Sequence, residues 1–295
     1  MLRECLDSIM RLSLRQEDRE IILVDDGSDV SPINELSDIY DQLTYIRQPH
    51  QGIAVARNTG LHNTSGKYIQ FVDGDDYLVT APYEQCLDIA RYKEPDMVMF
   101  HAVQKKHPEV QFLSEGPTNG VTYMRLNNLR SSVCGYIFRR AILGTLRFTP
   151  GRIHEDEEFT PQLMLRAEHI YSTKTEAYFY RKREGSIMTS HDKKHIAKRL
   201  TDQIDIIAHL QSIAAKSPEI DRVSLERRIA QLSMDHLYNT IQLTHSHHQL
   251  MEAIERLKAL GLFPLPNRNY TRRYSVFRSM VNTAVGRRIL LAAIR

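Results

Sequence analysis

The stretch Tyr68-Ile-Gln-Phe-Val-Asp73-Gly-Asp75-Asp76-Tyr-Leu78 decides how this chain is read. A β-rich apolar run leads straight into three carboxylates gathered about one glycine, the pattern of a buried strand ending in a turn. In open α/β sheets ligands sit in the crevice beyond the carboxyl ends of parallel strands, which predicts that Asp73, Asp75 and Asp76 meet solvent together. Like charges held so close repel unless a cation or hydrogen-bond donors share the site. Hard oxygen ligands of this kind suit Mg²⁺ or Mn²⁺. The turn also reads as an acidic cap on the next helix, although a cap does not need three carboxylates.

Upstream, Leu2, Cys5, Leu6 and Ile9 share one helical face. The run Glu20-Ile-Ile-Leu-Val-Asp25-Asp26-Gly27-Ser28 is a second short strand delivering a carboxylate pair into a Gly-Ser turn. Helical spacing predicts a helix over 32–43, then a strand over 45–47 and a helix over 52–62. Downstream, a helix over about 81–92 carries Pro82 in its first turn, where proline is tolerated. Residues 96–101 read as another buried strand. Strands alternating with helices argue for an α/β fold, a mostly parallel sheet with right-handed crossovers. The pattern weakens over 106–123 into turns and a hairpin near 110–113. A strand over 133–138, a helix over 154–166 and closing strands at 170–171 and 177–180 complete it. Beyond His191, Ile196, Leu200, Ile204, Ile207 and Leu210, then Leu225, Ile229 and Leu232, recur at helical intervals. This predicts an α/β domain over 1–190 and a helical region over 191–295.

Composition narrows the function. Three cysteines, Cys5, Cys86 and Cys134, stand at no metal-like spacing and read as free thiols in a reducing compartment. Neither a spanning apolar run nor a signal-peptide pattern is present, which predicts a cytoplasmic protein. Net charge is +3, but seven arginines and no acids lie between Pro264 and the end, so the remainder is mildly acidic. Such a tail points to an anionic surface or a docking site, and no nucleic-acid-binding signature accompanies it. Phe277, Met280, Val281, Ala284, Leu291 and Ile294 fall roughly on one side of it. It reads either as a helix lying peripherally on the inner face of a membrane or as one packed on the helical region. His245, His247 and His248 read as solvated.

Five blocks, "IILVDDGSDV" at 21–30, "HQGIAVARNTGL" at 50–61, "YIQFVDGDDYL" at 68–78, "GRIHEDEEF" at 151–159 and "YRKREGSI" at 180–187, together resemble the inverting glycosyltransferase family 2, with the GT-A fold. The resemblance covers roughly residues 1–190. It implies transfer of a sugar from a nucleotide-diphosphate sugar, UDP-linked, to a glycan or lipid-linked sugar acceptor in surface polysaccharide or glycolipid synthesis. By position in the motifs, it implies that Asp25 and Asp26 hold base and ribose. Asp73 would meet ribose or metal, and Asp75 would ligate a Mn²⁺ or Mg²⁺ that bridges the phosphates, with Asp76 in support.

Glycosyl transfer expels a diphosphate anion, so cations must neutralise charge that grows in the transition state. The acceptor hydroxyl must also lose a proton to a base on the opposite face of the sugar. Glu155-Asp156 occupies the family's base position, with Asp156 as base and Glu155 orienting it or the acceptor; "HEDEEF" also reads as an acidic first turn favoured by the helix dipole. Arg57, followed by Asn58, reads equally as a ligand for phosphate or the Asp73 loop and as a structural salt-bridge partner. Arg181 and Arg183 are candidates for diphosphate contact, and His191 for a third metal ligand.

Members of the family begin with a buried strand ending in a Pro-x-Tyr-Asn-like turn, ahead of the helix that opens this chain. Its absence here predicts a start upstream of Met1, or else a weakly folding pseudoenzyme; the intact downstream motifs favour the former. Two other readings stand beside the enzyme: a receiver-like signalling domain, suggested by "ILVDDG", and a truncated, non-catalytic partner in glycan assembly.

Overall fold

The computed structural model describes residues 1–104, 113–182 and 192–294. Most of the hairpin expected near 110–113 lies outside them. The chain divides into two compact units, Met1–Gly120 with Arg130–Glu184, and Val121–Leu129 with Gly185–Arg295.

The first unit opens on helix α1 (Leu2–Met10) and strands β1 (Ile22–Asp25) and β2 (Thr44–Arg47), followed by α2 (Ile53–Asn63). Next come β3 (Tyr68–Gln70), β4 (Tyr77–Leu78), α3 (Thr80–Lys93), β5 (Met97–Val103) and β6 (Ser114–Thr118). After α4 (Gly120–Leu126), which falls mainly to the other unit, β7 (Tyr136–Arg139), α5 (Glu155–Met164) and β8 (Ile170–Phe179) finish it. A six-stranded sheet runs β3-β7-β5-β8-β4, with β6 on β8, while β1 and β2 form a separate parallel pair. Among the described residues no ladder joins the two sheets, so β1 and β3 each keep an unpaired edge. β5 and β8 are parallel. β7 lies antiparallel between β3 and β5, leaving those two running the same way. Met97, Val98, Tyr136, Phe138, Leu163 and Ile170 are fully buried and form the centre.

Three local expectations differ from the structure. Residues 32–43 form two short 3₁₀ turns rather than a helix. Leu36 and Ile39, three residues apart, bury against Leu6 and Ile21, and a spacing of three suits a 3₁₀ turn as well as an α-helix. Val133–Gly135 is likewise a 3₁₀ turn, and the strand begins at Tyr136. The two closing strands are one, β8. The polar residues between them hid its continuity: Thr173 and Thr175 are buried and satisfy each other at 2.8 Å.

The second unit consists of α4, α6 (Lys193–Lys216), α7 (Glu219–Thr244), α8 (His247–Ala259), α9 (Arg272–Val281) and α10 (Ala284–Ala293). Asp192, Ser246, Thr271 and Thr283 cap α6, α8, α9 and α10 by accepting backbone N–H bonds. Leu200, Ile204, Ile207, Leu210, Leu225, Ile229 and Leu232 are buried, as their spacing predicts. Val121–Leu129 belongs here rather than with the α/β unit. Buried Arg227 and Arg228 of α7 donate to the carbonyls of Arg125 and Leu129, acceptors that α7 cannot itself supply. No helix among the described residues is long and apolar enough to cross a membrane.

Candidate active site

β3 ends at Gln70 and the chain turns through Asp73–Asp76, closed by Asp76 N–H donating to the Asp73 carbonyl at 2.9 Å. The three carboxylates do not meet solvent together. Asp73 is 35% exposed at its side chain and Asp75 is half-buried, but Asp76 is withdrawn to 2%. Asp76 accepts the Tyr178 hydroxyl at 2.7 Å and the Arg181 N–H at 2.8 Å. Burial pushes its carboxyl up to about 6 despite those bonds, and the charges of Asp73 and Asp75 add to the shift. The turn therefore offers two carboxylates outward and uses the third as its floor.

Arg57 joins this turn to α5. It is nearly buried on α2, its ring-stacking faces 5.9 Å from the Phe71 centroid and 5.7 Å from that of Phe148. One guanidinium nitrogen donates to Asp73 Oδ1 at 2.9 Å and the other to Glu155 Oε1, 98 residues further along the chain. Burial works against its charge, and Asp73 and Glu155 more than offset that, so Arg57 stays cationic. Both ends of the fork are engaged by carboxylates, the arrangement of a salt-bridge partner that also reaches the Asp73 loop. Asn58 beside it clasps the Phe148 backbone, donating to the carbonyl at 2.8 Å and accepting the N–H at 2.9 Å. That fixes the segment leading to α5.

The chain enters α5 through His154, in a left-handed conformation at φ 66°. Glu155 and Glu158 then turn inward and are buried, while Asp156 is only partly so. Burial raises the Glu155 carboxyl, opposed by Arg57. The pair expected at the base position is thus divided. Glu155 is locked onto Arg57, and Asp156 is only half-buried.

Of the upstream pair, Asp25 is buried and engaged by its neighbours. Its side chain is 2% exposed and accepts the Tyr45 hydroxyl at 2.7 Å and the Ser28 N–H at 2.8 Å. Burial pushes its carboxyl up, but those bonds and Arg47 outweigh it and keep the acid low. Asp26 is somewhat more open and takes the N–H groups of Gln51 and Gly52 at the start of α2. Gly27 makes this close approach feasible: at φ 80° a Cβ there would lie 2.7 Å from the His50 nitrogen.

Arg181 stands behind the acidic turn. Its Nε donates to the Asp75 carbonyl at 2.9 Å and its Nη2 to Glu4 at 2.6 Å, an arrangement that braces the loop. Arg183 and His191 lie outside the described residues. Sequence reasoning missed Tyr178, Glu4, Cys5 and Ser8. Cys5 faces the Asp73 carbonyl at 3.8 Å, and Ser8 accepts the Leu78 N–H at 3.0 Å. Burial, with the nearby aspartates, pushes the Cys5 thiol up to about 12, so it is no nucleophile.

Among the described residues no group of three or more His, Cys, Asp and Glu is gathered as a metal cage. Two outward carboxylates still fit Mg²⁺ or Mn²⁺, hard ions commonly held by one or two carboxylates together with a ligand's phosphate oxygens.

Residues 1–142 match the family description "Glycosyl transferase family 2". Glycosyltransferase GlyA of Streptococcus pneumoniae is 27% identical over 253 residues, which make up 78% of this chain and 36% of that protein. The chain therefore spans about a third of the length of that curated relative. The crystal structure of S. aureus TarS 1–349 in complex with UDP-GlcNAc aligns with TM-score 0.71 and 17% identity, over 99% of this chain and 84% of that one. Mannosyltransferase PcManGT from Pyrobaculum calidifontis, in complex with GDP-Man and Mn²⁺, aligns with TM-score 0.55 and 14% identity, over 99% and 81%. The fold is GT-A.

Proposed function

We propose that this chain, whose residues 1–142 match the description "Glycosyl transferase family 2", transfers a sugar, with inversion, from a UDP-linked donor to a hydroxyl of a glycan or lipid-linked acceptor in surface polysaccharide or glycolipid synthesis. One observation carries the reading: a single guanidinium, that of Arg57, ties the acidic turn at Asp73 to the helix start that bears Asp156.

Each group then has a task. Asp26, just beyond β1, would contact the donor's base and ribose. Asp73 and Asp75 would hold a divalent cation with the donor's phosphates, and such an ion neutralises charge on the leaving diphosphate. Arg57 holds Asp73 and Glu155 at fixed spacing. Asp156, the carboxylate left accessible, accepts the proton of the attacking hydroxyl, and the alkoxide character it creates is directed at the anomeric carbon from the face opposite the diphosphate. The TarS structure with UDP-GlcNAc supports a uridine donor, and the PcManGT structure with Mn²⁺ supports a metal. The exposed arginines of α9 and α10, Arg272 and Arg288, would rest on the inner face of a membrane carrying a lipid-linked acceptor.

Asp156→Asn tests the assignment. With UDP-sugars and Mn²⁺, turnover should fall about 10²- to 10⁴-fold, the usual worth of a general base, while the melting temperature stays put. Unchanged turnover would remove Asp156 from the role of base, and UDP binding without turnover by the wild type would leave the non-catalytic glycan-assembly partner as the better reading.

A further inference from the structure

The acidic turn is held from beneath by a side chain that touches no ligand. Tyr178 of β8 is 1% exposed. Its hydroxyl donates to Asp76 Oδ2 at 2.7 Å and accepts the Asp73 N–H at 3.1 Å, using its single proton and one lone pair. Asp76 is anchored in turn by the Arg181 N–H, and Arg181 Nε takes the Asp75 carbonyl. Backbone or side-chain atoms of Asp73, Asp75 and Asp76 are therefore all tied to the end of β8, while the Asp73 and Asp75 carboxylates take no part in these bonds. Packing needs only the Tyr178 ring, which phenylalanine would supply. The hydroxyl is what connects the buried carboxylate to the turn.

We infer that Tyr178 is a positioning residue: through its hydroxyl, fixed by Asp76, it sets the backbone of Asp73 and hence the spacing of the two carboxylates that face a cation and its diphosphate. This rests on the role given to Asp73 and Asp75 under Proposed function. A turn free to shift would still fold, but it would have to be ordered at each binding event, and that ordering would subtract from affinity.

The test compares wild type, Tyr178→Phe and Asp76→Asn by two readouts. The first is calorimetric affinity for UDP with Mn²⁺; the second is amide hydrogen exchange of the peptide spanning 72–78, with β5 as internal reference. Asp76→Asn removes the carboxylate that accepts from both Tyr178 and Arg181, and the amide keeps both contacts only if the Tyr178 hydroxyl gives up donating and accepts instead. Both variants should bind at least tenfold more weakly and exchange faster at 72–78, with β5 unchanged. Affinity within twofold of wild type and unaltered exchange at 72–78 would overturn the inference, as would faster exchange spread evenly over the unit. If wild type binds no UDP with Mn²⁺, the glycosyltransferase reading falls, while local loosening at 72–78 would still sustain the positioning role.

Discussion

Asp76 beneath the acidic turn and His236 in the middle of α7 are each 2% exposed, yet their circumstances are opposite. Asp76 is gripped by the Tyr178 hydroxyl and the Arg181 N–H, whereas neither ring nitrogen of His236 has a hydrogen-bond partner. Burial pushes the carboxyl up to about 6 and, with Arg256 assisting, the imidazole down to about 4. Both shifts favour the neutral form, because a buried charge loses its hydration. A perturbed acid alone therefore does not mark a site. What separates the two is that the neighbours of Asp76 are organised around it and pass its position on to Asp73, whereas His236 transmits nothing through hydrogen bonds.

The contrast can be broken most forcefully at Arg57, whose partners, Asp73 and buried Glu155, are as organised as those of Asp76. Arg57→Met leaves Glu155 buried without its cation, and we expect a loss of about 3–5 kcal/mol in urea unfolding at pH 7. A change within about 1 kcal/mol would place the pair with surface bridges.

His236 sharpens the comparison through pH. Its folded value lies near 4 and its ordinary value at 6.5, so the unfolded chain takes up the proton first as pH falls. Stability tied to the neutral ring is complete above 6.5 and is lost as pH drops towards 4, by about 3 kcal/mol over the window. His236→Leu should abolish that loss and match or exceed wild type at pH 7, since it removes two unsatisfied nitrogens. Unfolding curves for both proteins from pH 7 to 4.5 check this: a constant difference between them would contradict a buried neutral ring.

The smallest effect is expected at the edge of the same network. Glu4 and Arg181 pair at 2.6 Å but are 50% and 30% exposed. Glu4→Gln should lower stability by no more than about 1 kcal/mol in a thermal melt. A larger drop would mean that the exposed bridge and the buried Tyr178–Asp76 bond act as one unit.

Much of the fold could be read from local pattern. The apolar run from Met97 is β5, the spacing after His191 marks α6 and α7, and Gly52 opens α2. The reading failed where one pattern served two structures, as with the turns at 32–43, or where polar residues were satisfied inside a strand, as in β8. It also missed the antiparallel β7, because an apolar run carries no direction.

The site divides in the same manner. The residues by themselves determined where acids would stand at the ends of strands and at the head of a helix, since strand and helix periods, glycine turns and capping preferences act over a few positions. Only the tertiary structure decided which acids are buried as framework and which stay partly exposed: Asp76, Asp25 and Glu155 against Asp75 and Asp156. Those roles depend on Arg57, Tyr178 and Tyr45 arriving from distant parts of the chain. Burial and hydrogen-bond partnership across such separations arise only when the chain has packed into its tertiary fold.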